Sequence, residues 1–434
     1  MSIVQNSIYT LTAKISQVIS TFFVGIILAR SIGPTGNGIY EIFNLVVIFS
    51  VTIGTLGLGH ATVYVVKRKG INIRDVLSNT LTIGIVWGII LGFLVFIFYS
   101  VFPGIIKDLP KSALIVGSIL IPLSLLDAYL IQGFLIEFRI KLQSALIVGK
   151  NFLLLLAVFF SVSLFKMGAQ GIIIAGAITY ILSGLVIIFV QKKIYNLILQ
   201  FNRKIFKELF SFGIQNWLAN IFLLMNYKFD LFLVNYYIGV EQVGFYSIAA
   251  VFASSLLLIP SSIGPLLYSS WTGEKLEKVD RLTPKITRQV VFITFIVAIF
   301  LVFFGKLLIT FIYGGRYSVS YYALLLLLPG VIMMTANYVI LNNFSSRGKP
   351  IYSAIILLIT LVLNIIINIV VIPRYGINGA AIASSITYSL STLFSIIAFR
   401  TLRLIKGSNN FIFASISDIM EIKRTLTRLV FKRQ

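Results

Sequence analysis

Lys14, Lys228 and Asp230 are ionisable residues that stand inside largely apolar stretches. A charge within a hydrophobic span is expensive, so each is a candidate functional group. Lys14 lies on a polar stripe, Asn6, Thr10, Lys14 with Gln17, then Thr21. That spacing follows the helical period and puts one wet face on a helix. A second stripe holds Gln215, Ala219, Asn226 and Asp230, flanked by Asn216, Asn220 and Lys228. Ammonium groups lining a wet cavity would lower the barrier to an anion such as a phosphate. A buried carboxylate could carry H+ or Na+. The plainer alternative is structural: Asp230 neutralises Lys14, and Lys228 snorkels toward the headgroups. Lys228 and Asp230 are two apart on one helix and do not face each other.

Composition narrows the chemistry. The chain of 434 residues has no Cys and one His, His60, which excludes thiolate chemistry and multi-His metal sites. No Walker-type phosphate loop is present, and no cofactor is expected. The sequence is 58% hydrophobic and 11% charged, with a net charge of +23 and a mean hydropathy of +1.00. That is the composition of a polytopic membrane protein. Its positive charge fits the basic loops on the inner side of a membrane rather than a nucleic-acid partner.

The helices that must position these residues come in two copies. Met167-Gly168-Ala169-Gln170-Gly171 through Thr179-Tyr180 is echoed by Tyr375-Gly376-Ile377-Asn378-Gly379 through Thr387-Tyr388, at an offset of 208. Ile32-Gly33 and Gly38-x-Tyr40 recur as Ile238-Gly239 and Gly244-x-Tyr246; Pro122 and Gly57 recur as Pro329 and Gly264. A near-constant offset points to one six-helix unit duplicated in the same orientation. Twelve spans are expected, about 7–30, 38–59, 76–102, 112–136, 144–165, 171–190, 209–236, 243–268, 289–313, 320–344, 351–372 and 378–399. Each is near the ~20 residues that cross a bilayer. The domains are then 1–190, a linker 191–208, 209–402, and a basic tail 403–434. Most of the 36 Lys and Arg fall in the even-numbered connections and the tail. This puts both termini on the cytoplasmic side of the cell membrane. The tail has apolar Ile412, Ile416, Ile419, Leu426 and Val430 among basic residues. It reads either as an in-plane amphipathic helix or as a solvated basic tail.

Other polar groups have structural readings. Arg30 and Glu41 flank the glycine-rich turn 33–38 as a clamp. Asp127, Gln132, Asn337, Asn342 and Asn343, and the one-turn pair Asn364 and Asn368, read as interhelical hydrogen bonding. Gly379 through Ser385 reads as small-residue packing.

Ala29-Arg30-Ser31-Ile32-Gly33-Pro34 with Asn37-Gly38-Ile39-Tyr40 resembles a signature of polysaccharide flippases, and Gly244-Phe245-Tyr246-Ser247-Ile248-Ala249 resembles its second copy. Asn364-x-x-x-Asn368 followed by Ile372-Pro373-x-Tyr375-Gly376-Ile377-x-Gly379-Ala380-Ala381 resembles that family's most recognisable stretch. The resemblance implies the fold of the multidrug/oligosaccharidyl-lipid/polysaccharide exporter superfamily: two six-helix bundles in a V, working by alternating access. Within it, the chain is most similar to O-antigen or capsule flippases, which move undecaprenyl-diphosphate-linked oligosaccharides. The implied partners are a lipid-linked oligosaccharide and membrane lipids, with polysaccharide polymerase and chain-length proteins as further candidates. H+ or Na+ coupling stays open. A multidrug cation antiporter of the same fold is the alternative. A membrane-embedded enzyme is disfavoured, because no connection is long enough for a catalytic domain.

Overall fold

The computed structural model describes residues 3–106, 109–137, 139–271, 274–402, 410–413, 415, 417, 418 and 420. Among these the regular elements are all helical: α1 Ile3–Gly54, α2 Leu58–Lys69, α3 Ile73–Val101, α4 Lys111–Ile136, α5 Ile140–Val158, α6 Gly168–Tyr195, α7 Arg203–Ile238, α8 Val240–Ser255, α9 Leu258–Trp271, α10 Leu276–Tyr313, α11 Ser320–Ser346 and α12 Pro350–Leu402. A π-helical turn, Phe159–Leu164, extends α5. The chain is an all-α, multi-pass membrane protein. Nine helices among the described residues are long and apolar enough to cross a bilayer, or ten if the bent pair α8 and α9 is one span.

Two of the nine are double-length. A straight helix of 53 residues, the length of α12, would run ~80 Å, against a bilayer core of ~30 Å. It breaks at Gly376, with φ 60° and ψ −139°. Beyond the break the chain turns back, because the Asn364 amide reaches the Thr387 hydroxyl at 3.0 Å; in a straight helix the two would lie ~35 Å apart. In α1 the break is Gly33, with φ 67° and ψ −170°. Counting both double-length helices twice, and the bent pair α8 and α9 as one span, would give the twelve crossings expected.

The breaks follow the sequence repeat. Gly33 and its repeat partner Gly239 share one backbone conformation, the latter at φ 91° and ψ 167°. Gly168 and Gly376 both have φ 60°. These angles lie where a Cβ is penalised, so the duplicated glycines are the turning points of the chain. The expected six-residue turn at 33–38 is in fact a one-residue break, with helix resuming at Pro34, since proline is preorganised for a first helical turn.

Other boundaries shift outward, because polar flanks continue helices as readily as lipid-facing stretches do. The span expected to end near Gly59 stops at Gly54, turns through Gly57, and continues as α2. Lys67, Arg68 and Lys69 then form the last turn of α2, where cations suit the helix dipole. The connection expected near 269–288 is mostly the start of α10. Residues 196–202 form an extended strap on α3: Ile198 N–H donates to Ser78, Gln200 N–H to Thr82 and Asn202 N–H to Asn79.

The chain forms two compact units. One is Met1–Leu224 with Val234–Gly244, and the other is Met225–Leu233 with Phe245–Gln434. The first is cored by Leu58, Ile83, Ile121, Leu125 and Tyr129. Within it two repeat-related contacts mirror each other. A Cβ on Gly38 would run into the Val240 carbonyl, and one on Gly244 into the Pro34 carbonyl. The second unit is cored by Ile340, Phe344, Phe399 and Phe411. Ala380, Ala381, Ala383 and Ser384 are fully buried there, so small side chains do allow close approach.

Candidate functional site

In the second unit the polar centre is Asp230 on α7, only 2% exposed. Its carboxylate accepts the Tyr246 hydroxyl at 2.5 Å, the Ser384 hydroxyl at 3.1 Å and the Leu231 N–H at 2.9 Å. One turn earlier Asn226 is also buried and donates to the Leu357 carbonyl at 2.8 Å. The Tyr388 hydroxyl donates to the Asn226 carbonyl. Across the hairpin of α12, Asn364 donates to Thr387, and Asn368 donates to both oxygens of Asn364. Ser384, Thr387 and Tyr388 share one helical face. They bring Asn226 and Asp230 together with Asn364 and Asn368, four of the residues singled out from sequence. One acceptor is left over: Asn368 Oδ1 is buried without a hydrogen-bond donor among the described residues.

In the first unit the charged centre was not anticipated. Lys150 on α5 pairs with Asp127 on α4, with side chains 22% and 17% exposed. Its Nζ lies 4.2 Å from the centre of the Tyr180 ring on α6, a cation–π geometry. Lys150 is ten residues into α5, or ~15 Å along the helix, about half the ~30 Å core. The sequence analysis did not single out Lys150, although it falls within the expected span 144–165. The signal missed was that no other charge interrupts 144–158. Beside it, Asn151 donates to Ser16, and Ser20 donates to the Asn151 carbonyl, tying α5 to α1.

The remaining candidates are spread out. Lys14 and Gln17 on α1 are exposed, with exposed Leu11, Ile15 and Val18 beside them. Lys228 is half-buried. Arg30 is exposed and Glu41 half-buried, on either side of the Gly33 break. The side chains of Gln215, Asn216 and Asn6 lie outside the described residues. Tyr246, Tyr388 and Tyr180 were missed as site residues, although each is one member of a repeated pair: Tyr40 with Tyr246, Tyr180 with Tyr388. Tyr180 faces Lys150 and Tyr388 faces Asn226, so a duplicated tyrosine marks each polar centre.

At one end of the second unit two ion pairs lock helices together. Arg347, after α11, pairs with Asp280 on α10; both are nearly buried. Arg347 also donates to Asn343 Oδ1, and Asn343 donates to Thr283. Arg288 grips Asp418 through two bonds, of 2.7 and 3.2 Å, and Phe411 packs edge-on against Phe399. Within the expected amphipathic tail, Ile416, Ile419, Leu426 and Val430 lie outside the described residues. Phe411 and Asp418 are buried against the helices.

Comparison with solved structures gives the class of this all-helical membrane fold. The chain matches the lipid II flippase MurJ in an inward closed conformation, at TM-score 0.74 and 16% identity, over 98% of this chain and 91% of that one. It also matches an inward-facing multidrug resistance MATE transporter of the MOP superfamily, at 0.66 and 15%, over 89% and 94%. A MOP superfamily transporter from Pyrococcus furiosus matches at 0.61 and 14%, over 92% and 94%. The fold is that of the MOP superfamily. The chain belongs to the polysaccharide biosynthesis protein family, whose profile matches residues 27–321. A candidate O-antigen transporter of Shigella flexneri is 27% identical over 285 residues, 62% of this chain. The chain spans about two thirds, 66%, of the length of that relative.

Proposed function

We propose that this protein is a flippase that carries undecaprenyl-diphosphate-linked oligosaccharide repeats from the cytoplasmic to the outer leaflet of the cell membrane by alternating access. The observation that carries the reading is a cation deep within an apolar span, Lys150 held by Asp127 and Tyr180, in a chain of the polysaccharide biosynthesis family. An isolated charge in hydrocarbon costs on the order of tens of kcal/mol by Born solvation. Lys14, Lys150 and Lys228, with Gln17, Gln215 and Asn226, would offset that cost for a diphosphate while the polyprenyl chain stays in lipid. The repeats 1–190 and 209–402 would move as the alternating bundles. Arg30 and Glu41 would clamp the first hairpin, and Asn364 and Asn368 the last. With both termini cytoplasmic, moving two negative charges outward gains roughly 4–5 kcal/mol per 100 mV of membrane potential. Asp230 is the candidate coupling group, as a proton carrier or with Asn368 as a Na+ ligand. The relatives are transporters, and no chemical reaction is assigned.

The test is export in a strain lacking its own repeat-unit flippase. Expression of this chain should restore surface polysaccharide, and the Lys150→Ala variant should leave lipid-linked repeat on the inner leaflet. No restoration by the wild-type chain would overturn the reading, and restoration by a chain with all three span lysines replaced would remove those lysines from it. A multidrug cation antiporter is the second reading, favoured by the span carboxylates Asp127 and Asp230. Raised drug resistance on expression, with no effect on polysaccharide, would select it.

A further inference from the structure

The first unit also holds an apolar cavity of about 490 Å³, lined by none of the residues of its polar centre. Val86, Trp87 and Ile90 on α3 form one wall, and Leu56, Phe201 and Phe206 another. Its size is that of a small-molecule site. The cavity opens outward, since Val86, Ile90 and Phe201 are 54%, 45% and 60% exposed. Its walls are fixed. The indole of Trp87 donates to the Gly54 carbonyl at 3.0 Å. The strap that carries Phe201 is held to α3 by its backbone N–H groups, which donate to Ser78, Thr82 and Asn79. Thr82 also lines the cavity, but its hydroxyl already accepts the Gln200 N–H. The lining therefore offers little to a polar ligand.

The rim has the opposite character. Arg203, Lys204 and Lys207 are exposed on the first turns of α7, interleaved with the wall residues Phe201 and Phe206. The nearby carboxylate, Glu208, is taken by Lys69 at 3.3 Å. An apolar slot of this volume with cations beside it suits a molecule with a hydrocarbon chain and a multiply charged anionic head.

We propose that this slot binds the phosphate-proximal part of a polyprenyl phosphate chain, with the phosphate held by Arg203, Lys204 and Lys207. The inference rests on the flippase reading above: it assigns the docking site for the lipid end of the transported molecule, separate from the span lysines that face its head. Bound there, the carrier lipid would wait at the inner leaflet, where the positive-charge bias puts the start of α7.

The test uses the full chain in nanodiscs, with undecaprenyl phosphate as probe and binding read by native mass spectrometry. Undecaprenol and phosphatidylglycerol serve as comparisons. Wild type should prefer undecaprenyl phosphate to both. Val86→Trp, at an exposed wall position, should fill the slot and weaken binding by about tenfold or more. The triple change Arg203→Gln, Lys204→Gln, Lys207→Gln should erase the preference for phosphate over undecaprenol while keeping chain binding. Ile90→Trp repeats the blocking test if Val86→Trp lowers thermal stability. Unchanged binding in the blocked and neutralised variants would overturn the inference, as would equal affinity for phosphatidylglycerol. Export by wild type in the flippase-deficient strain is scored separately. Normal binding without export would sink only the flippase reading, and export with unaltered binding in the variants would sink only the slot.

Discussion

Tyr246 donates its hydroxyl to the buried carboxylate of Asp230 at 2.5 Å, across sixteen residues of chain that include the Gly239 break. The contact ties α8 to the charged turn of α7, at a tyrosine that recurs at Tyr40 in the first repeat. Tyr246→Phe removes a hydrogen bond to a charged group and should cost about 1.5–3 kcal/mol of stability. Asp230→Asn keeps the shape and removes the charge. Its expected outcome is a folded, inserted protein with impaired export, read by surface polysaccharide against detergent-solubilised melting temperature. Export at wild-type rate in Asp230→Asn would remove the carboxylate from coupling.

The Lys150–Asp127 pair separates structure from transport. Removing one partner leaves an uncompensated charge inside a span, expected to cost near the lower end of about 3–5 kcal/mol because both side chains keep some exposure. The apolar double variant Lys150→Met with Asp127→Leu should recover the melting temperature. If Lys150 serves the diphosphate, the double variant stays defective in export. Full recovery of export would make the pair purely structural.

Lys14→Ala is expected to insert normally and to stall export, with lipid-linked repeat accumulating inside. Its exposed position on α1 predicts a melting temperature within about 0.5 kcal/mol equivalent of wild type. A variant that exports normally would retire Lys14 from the mechanism.

Gly38→Ala and Gly244→Ala should each destabilise by about 1–3 kcal/mol, because the new methyl meets a backbone carbonyl that no side-chain rotation can clear. Gly149 is the control. It lies inside α5 with open space where a Cβ would stand, so Gly149→Ala should be neutral or stabilising by up to ~1 kcal/mol. Thermal melts of the three variants decide the point.

The Arg288 guanidinium beside Asp418, with help from Ser415, holds that carboxyl well below the usual carboxylate range. A depressed value means that the ion pair contributes fully above about pH 4, where an unfolded Asp is already ionised. The contribution is lost only as pH falls through the lower, folded value. Protection of the Ser415 amide, which donates to Asp418, should therefore stay flat from pH 8 to pH 5. Asp418→Asn should abolish it throughout.

Helices and turning points were legible from sequence, because apolar length and duplicated glycines are local signals. Gly33, Gly168, Gly239 and Gly376 could be named as the chain's punctuation from the repeat. What they do was less legible: a single φ-positive residue suffices where a six-residue loop was expected at 33–38. Asp230, Asn226, Asn364 and Asn368 stood out because polar groups are rare in such stretches. Their partners did not, since Tyr246, Ser384 and Thr387 come from other helices and match the composition around them. Lys150 was hidden by Arg139 and Lys141 shortly before it, which make it look like part of a basic connection. The extended strap at 196–202 was illegible for a different reason. Its backbone is satisfied by side chains of α3, a pairing that no periodicity in the strap itself encodes.

Phe411 acts as a cork: it fills a gap beside Phe399 and Phe344, and Arg288 keeps it there through Asp418. The last helix thus has its hydrophobic end sealed by residues that lie after it. Truncation upstream of position 411 would leave that aromatic surface open to water and invite aggregation. Purification handles are accordingly safer at the other terminus.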